Sequence, residues 1–80
     1  MNIEKGSVVI AKAGRDKGKA FVVLEVQDAR FALIADGKRR PIERPKRKNL
    51  LHLQATAAAT DCITTNRQLR VLLKDFNTGG

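Results

Sequence analysis

Short apolar runs alternate with segments rich in glycine and charge through the first half of the chain. Three of these runs are rich in β-branched residues and predict strands: SVVIA at 7–11, AFVVLEV at 20–26 and RFALIA at 30–35. Alternation within the second run predicts two faces, one with Val22, Leu24 and Val26 and the other with Phe21, Val23 and Glu25. This strand therefore carries apolar residues on both faces.

A β-hairpin is predicted around the dipeptide at 36–37. Asp-Gly stands between the third run and KRRPIE at 38–43, and this dipeptide favours a two-residue type I′ turn. Such a turn would place Phe31 opposite Ile42. Pro41 has no N–H to donate, so the fourth strand is expected along an edge of the sheet.

The segments that follow are less regular. RPKRKN at 44–49 holds four cations and nothing to bury, and we interpret it as an exposed basic connection. LLHLQ at 50–54 is compatible with one more short strand. The small and polar residues at 55–65 give no pattern that assigns them to an element.

The chain closes on a predicted helix, over about residues 65–76. Thr65 and Gln68 have the spacing of a capping box, in which each side chain bonds the other residue's backbone N–H. Apolar residues then recur at helical spacing: Leu69, Leu72, Leu73 and Phe76. Four or five short strands and one C-terminal helix in 80 residues predict a single, mainly β domain, a small and strongly bent barrel.

Charge is the feature of composition that points to function. The net charge is +8, and it is concentrated: residues 12–19 carry +3 and residues 38–48 carry +6, which leaves the rest close to neutral at −1. Localised positive charge attracts polyanions, nucleic acid first and anionic membrane second. A chain this short has little room for an internal active site, so a surface function is favoured.

Catalytic residues are not evident, and no enzyme, metal site or cofactor is predicted. Gly14, Gly18 and Lys19 superficially resemble a P-loop, but only three residues separate the glycines and Ala20 replaces the magnesium-binding hydroxyl. His52, the only histidine, is interpreted as a packed or hydrogen-bonded structural residue. Cys62, the only cysteine, is interpreted as a small buried residue. A lone cysteine and the lack of a signal-peptide core favour the cytoplasm.

The loop AGRDKGKAF at 13–21 is the best candidate for contact with phosphate. Gly14 and Gly18 tolerate positive φ and could present backbone N–H groups to an anion. Asp16 is expected to brace the turn by bonding local amides. The candidate RNA-binding residues are these two glycines with the cations of both basic segments: Lys12, Arg15, Lys17, Lys19, Lys38, Arg39, Arg40, Arg44, Lys46, Arg47 and Lys48. The alternative interpretation is that Gly14 and Gly18 only form a turn and that the cations only keep the protein soluble.

Residues 5–30 resemble the KOW motif of ribosomal proteins and NusG-type transcription factors. The resemblance lies in Gly6, Val8, Ile10, the loop GRDKGK and Phe21-Val22-Val23. The continuation LIADGKRRPIERPKRKNLLHL is similar to small bacterial relatives of eukaryotic-type large-subunit ribosomal proteins. The resemblance implies an SH3-like barrel whose first loop contacts RNA, commonly ribosomal RNA. The partner it implies is that RNA or the large ribosomal subunit. It does not extend beyond Ala55.

Aromatic residues decide between modes of binding. The chain has no Trp or Tyr, and Phe31 and Phe76 fall on apolar faces, while Phe21 is ambiguous. Base stacking is therefore expected to be minor, and recognition should rest on phosphates and RNA shape. The alternative function of an SH3-like protein-interaction adaptor would need an aromatic groove, and the chain has too few aromatic residues to form one. DNA binding, as a module of the transcription machinery, stays open on charge alone. Membrane attachment and a small-molecule substrate are not expected.

Overall fold

The computed structural model describes residues 2–61 and 65–77. Five strands form one antiparallel sheet in the order β4-β3-β2-β1-β5. The elements are β1 (Ser7–Ala11), β2 (Ala20–Val26), β3 (Phe31–Ala35), β4 (Lys46–Asn49), a 3₁₀ turn (Leu50–His52), β5 (Leu53–Ala59) and α1 (Asn66–Asn77). The expected fold class is confirmed: a mainly β, small SH3-like barrel with one C-terminal helix. Among the described residues, no helix has both the length and the apolar character needed to cross a membrane.

Two apolar clusters lie on the two faces of the sheet. The barrel interior is filled from β1, β2, β3 and β5, with Phe21 and Val23 at its centre. The opposite face carries Val22 and Leu24 and is covered by α1. The alternation predicted for β2 is therefore confirmed as far as Leu24. Beyond that point it is wrong, because the pairing with β3 shifts register between Val23 and Glu25 and leaves Val26 37% exposed. Phe21, which the sequence left ambiguous, is 1% exposed and belongs to the interior.

The predicted type I′ hairpin is wrong. That turn needs positive φ at both central residues, but every described residue with positive φ is a glycine, and here that is Gly37 alone, at 81°. The Asp36 carboxylate instead accepts bonds from the N–H groups of Lys38 (2.8 Å) and Arg40 (2.9 Å). Asp36 N–H donates to the Arg40 carbonyl at 2.9 Å. These bonds round the chain into a wider loop, so residues 38–43 form no strand.

The edge strand lies in the segment interpreted as an exposed basic connection. Within 44–49, β4 pairs with β3 so that Phe31 lies opposite Asn49 rather than Ile42. The strand went unpredicted because its sequence, KRKN, holds no apolar residue. On the other edge, β5 begins at Leu53 and continues to Ala59, so the short strand expected at 50–54 starts later and runs further.

A 3₁₀ turn joins the two edge strands. Asn49 caps it by accepting a bond from Leu51 N–H at 2.8 Å. The turn interrupts strand alternation and leaves Leu51 79% exposed. His52 is exposed too, so the expectation of a packed side chain is wrong, although its carbonyl accepts a bond from Lys12 N–H at 2.7 Å. Cys62, expected to be buried, lies outside the described residues.

The helix α1 begins at the predicted capping box. Thr65 N–H donates to Gln68 Oε1 at 3.0 Å, and Gln68 N–H donates to Thr65 Oγ1 at 3.1 Å. Leu69 and Leu73 are each 1% exposed. Leu72, which the pattern placed with them, is only half-buried. All four apolar residues of the pattern therefore contact the cluster beneath α1, Leu69 and Leu73 as buried members and Leu72 and Phe76 at its margin.

The N-terminal turn of α1 fixes the loop after β3. Asn66 Oδ1 accepts a bond from Ile42 N–H at 2.7 Å, and its amide donates to the Glu43 carboxylate. Arg70 donates to the Gly37 carbonyl at 2.9 Å. A side chain at position 37 would meet the Asn66 carbonyl oxygen, so the close approach itself requires glycine there. The loop that carries Lys38 and Arg39 is thus held in place by the helix.

Candidate nucleic-acid interface

Topology brings the two basic segments to one end of the sheet. Because β1 and β2 are antiparallel, the loop at 12–19 lies where β1 ends and β2 begins, beside the Ile10–Ala20 pair. β3 ends at the same side, since Ala35 pairs with Val22. The loop at 36–45 and the start of β4 follow there. Segments more than 15 residues apart in the sequence therefore become neighbours.

The loop between β1 and β2 has the glycine geometry that the sequence predicted. Gly14 has φ of 83° and Gly18 has φ of 88°. Lys17 N–H donates to the Gly14 carbonyl at 3.2 Å. Gly18 N–H donates to the Ala11 carbonyl at 2.8 Å, so the expectation that Gly18 offers this group to an anion is wrong. A Cβ at position 18 would have no neighbour within 4 Å. Gly18 is thus required for its backbone conformation and not for lack of space.

Strand β4 joins the two basic segments through its side chains. Lys46 Nζ lies 3.2 Å from Asp16 Oδ2, and Lys48 Nζ donates to the Ala13 carbonyl at 3.2 Å. Side chains alternate along a strand, so Arg47 points to the other side, where its guanidinium lies 3.9 Å from the centre of the Phe31 ring. Two of the three cations of β4 therefore contact the loop between β1 and β2.

Asp16 braces the loop, but through a different partner from the one predicted. We expected bonds to local amides, and the structure instead shows its carboxylate bonded to Lys46, 30 residues away. Burial raises the pKa of the Asp16 carboxyl, while the bond to Lys46 and the positive charge nearby lower it, with a net shift below the ordinary value of 3.8. The ionised carboxylate is therefore part of the folded loop.

Substitution of Asp16 by asparagine should make the fold less sensitive to acid. A carboxyl with a lowered pKa stabilises the folded state above its unfolded pKa, and that contribution is lost as pH falls through the folded value. We expect Asp16→Asn to lower the free energy of unfolding by about 1 kcal/mol at neutral pH, since the pair is only partly buried. The difference should close as pH falls below 3.8. Urea melts across this range measure it, and a difference that widens in acid would contradict the role.

Two grooves open on this surface, and each is lined from both basic segments. The strand groove, of about 470 Å³, is lined by Asp16 together with Gly14, Arg15, Arg39, Arg40, Lys46 and Lys48. The helix groove, of about 350 Å³, is lined by Asp36 together with Lys17, Gly18, Lys19, Lys38, Arg39 and Phe76. Arg39 lies between them. We call the two grooves together the basic surface.

Three of the predicted binding residues line neither groove. Lys12 is exposed where β1 ends. Arg44 is exposed in the turn before β4, where its N–H donates to the Pro41 carbonyl at 2.9 Å. Arg47 lies over Phe31 on the other side of β4. The remaining ten predicted residues line the basic surface.

Phe76 and Asp36 line the helix groove although the sequence did not predict either as part of the site. Phe76 is the aromatic one of the two. Its helical spacing placed it in the core, and it does contact the cluster beneath α1. It is also half-buried and lines the helix groove. The only feature of the sequence that indicates this partial exposure is the position of Phe76, seven residues after Leu69 in the last turn of α1. The last turn of a helix lies at the edge of the surface that the helix covers.

No family model matches the chain. Within the described ranges, no three His, Cys, Asp or Glu side chains group closely enough to hold a metal ion. The arrangement offers cations, exposed backbone at Gly18 and one aromatic ring. These groups are able to form reversible electrostatic contacts with anions.

Proposed function

We propose that this protein binds folded RNA by its phosphate backbone, through the basic surface, as a cytoplasmic component or partner of the large ribosomal subunit. One observation carries the proposal: cations from segments far apart in the sequence line the same two grooves. Charge that only kept the protein soluble would not need to converge.

The convergence is unfavourable for the free protein. Within residues 2–61 and 65–77, Lys46 is the only cation of the basic surface that forms an ion pair. Lys17, Lys19, Lys38 and Arg39 are exposed around a single groove. Like charges at this density repel and destabilise the compact state. A bound phosphate chain would remove that repulsion and release its own counterions.

RNA is favoured over DNA by the resemblance, since charge alone fits either nucleic acid. The KOW-like loop and its two glycines support RNA, and the ribosomal assignment depends on that resemblance. A peptide adaptor is disfavoured, because Phe21 is buried, Phe31 lies under Arg47, and Phe76 alone does not form an aromatic groove.

Binding should depend steeply on salt. If about five to eight phosphates are contacted, log K against log salt should have a slope of about −4 to −7 for duplex-like RNA. Titration of a fluorescent RNA hairpin between low and moderate salt measures this slope. A slope near zero would refute a mechanism driven by charge, and equal affinity for anionic vesicles would refute selectivity for nucleic acid.

The identity of the RNA is tested in cells. Ultraviolet crosslinking of the tagged full-length chain, followed by sequencing of the attached nucleic acid, should recover large-subunit ribosomal RNA. A single, localised crosslink site on that RNA would support a ribosomal component. Dispersed messenger RNA or DNA would overturn the ribosomal assignment.

A further inference from the structure

The helix groove differs from the strand groove by an aromatic wall. Phe76 contacts the apolar cluster beneath α1 and also lines this groove, so it is half-buried rather than enclosed. The other two phenylalanines are not available in this way, since Phe21 is 1% exposed and Arg47 covers Phe31. The groove therefore combines an apolar ring with charge.

The charge surrounds the ring from two loops. Lys17 and Lys19 come from the loop between β1 and β2, and Lys38 and Arg39 come from the loop after β3; all four are exposed. Asp36 also lines the groove, but its Oδ1 accepts bonds from two backbone N–H groups. The space above Gly18 is empty, so a ligand can approach its backbone closely.

We propose that the helix groove binds one unstacked nucleotide of the RNA, with its base on Phe76 and its flanking phosphates on the cations of the two loops. The inference depends on the proposed function and names the kind of RNA that suits it. A groove of about 350 Å³ lies within the size range of small-molecule sites. Aromatic side chains bind bases by stacking, and every base has a face that can stack.

The two grooves then divide the recognition between them. A base within a duplex is paired and stacked on its neighbours, so it cannot stack on the ring that lines this groove. The strand groove is lined by five cations, Gly14 and the Asp16 carboxylate, which is paired with Lys46, and it suits the phosphates of a helical segment. The RNA expected is a duplex interrupted by a bulge or a loop, which presents one free base beside a continuous backbone.

A fluorescent substitution at position 76 tests the contact directly. The chain contains no tryptophan, so Phe76→Trp supplies a single reporter. We expect its emission to be quenched by an RNA hairpin with one bulged uridine, and not by the same hairpin with an abasic bulge. Val71→Trp is the matched control, because Val71 is 66% exposed on α1 and lines neither groove. Its emission should stay unchanged with both RNAs.

Affinity gives the second measurement. Stacking of one base contributes about 5- to 150-fold to affinity, so the wild-type protein should bind the bulged hairpin tighter than the abasic one by a factor in this range. Phe76→Leu keeps an apolar side chain against the core but removes the ring, and it should abolish that preference. The salt slope should stay the same, since no cation is lost. Thermal melts confirm that the variant is folded.

The outcomes separate this inference from the function it depends on. Equal affinity for bulged, abasic and fully paired hairpins, with a steep salt slope retained, would overturn the nucleotide site and leave charge-driven RNA binding intact. Quenching of the Phe76→Trp variant by the abasic hairpin would also overturn it. Failure of every hairpin to bind at low salt would overturn both.

Discussion

Replacement of Arg15, Lys17 and Arg39 by alanine should weaken RNA binding by about 100- to 1,000-fold at 0.1 M salt, while the fold stays intact. These three side chains are exposed and come from both basic segments and both grooves. Each lost phosphate contact makes the slope of log K against log salt shallower by about 0.9. If the affinities of wild type and variant converge at about 1 M salt, three lost contacts give the expected difference one decade lower, at 0.1 M. Salt titrations of wild type and variant measure both effects.

Two further triple variants remove the same charge from other places. Lys5, Arg30 and Arg67 are exposed or half-exposed and line neither groove, so their replacement by alanine should leave the salt slope nearly unchanged. Replacement of Lys12, Arg44 and Arg47 decides whether binding extends beyond the grooves, as the sequence alone suggested. Equal losses in all three variants would show that net charge, and not the basic surface, governs affinity.

Leu73→Ala should lower the free energy of unfolding by about 2 to 5 kcal/mol. Leu73 is 1% exposed and fills the contact between α1 and the sheet, together with Val8 and Val22. Truncation leaves a cavity that neighbouring side chains fill only in part, and a small domain has little stability to lose. Denaturant melts followed by circular dichroism measure the change.

Leu72→Ala is the matched control on the same helix. Leu72 was expected to be as important as Leu73, but it is half-buried and lies at the margin of the helix contact. Its truncation should therefore cost clearly less than that of Leu73. If Leu72→Ala is the more damaging change, the rotation of α1 about its axis is different from the one described.

Elements with regular apolar spacing were predictable from the sequence. The first two strands, the alternation in β2 as far as Leu24 and the capping box at Thr65 all follow from local residue order. β4 was not predictable, because a strand of four polar residues has no pattern and is recognised only by its partner β3. The hairpin failed because the Asp36 side chain competes with the turn for the backbone amides.

The site was partly predictable for a related reason. Glycine adopts positive φ more readily than any other residue, so positive φ could be predicted at Gly14 and Gly18, and both have it. The charges could be counted, but their convergence depends on pairing between strands that are far apart in sequence. The bond between Asp16 and Lys46 and the exposure of Phe76 arise only from tertiary contacts. Residue identity predicted which groups take part, and topology decided where they meet.

The polar character of β4 leaves its register to side-chain contacts. A slip of one residue would turn every side chain of a strand to the opposite face, so Arg47 would replace Lys46 and Lys48 beside the loop. No buried apolar residue in KRKN prevents this. The Lys46–Asp16 ion pair and the stacking of Arg47 on Phe31 oppose it from the two faces. Together these two contacts fix the register of β4 and keep the ammonium groups of Lys46 and Lys48 on the side of the basic surface.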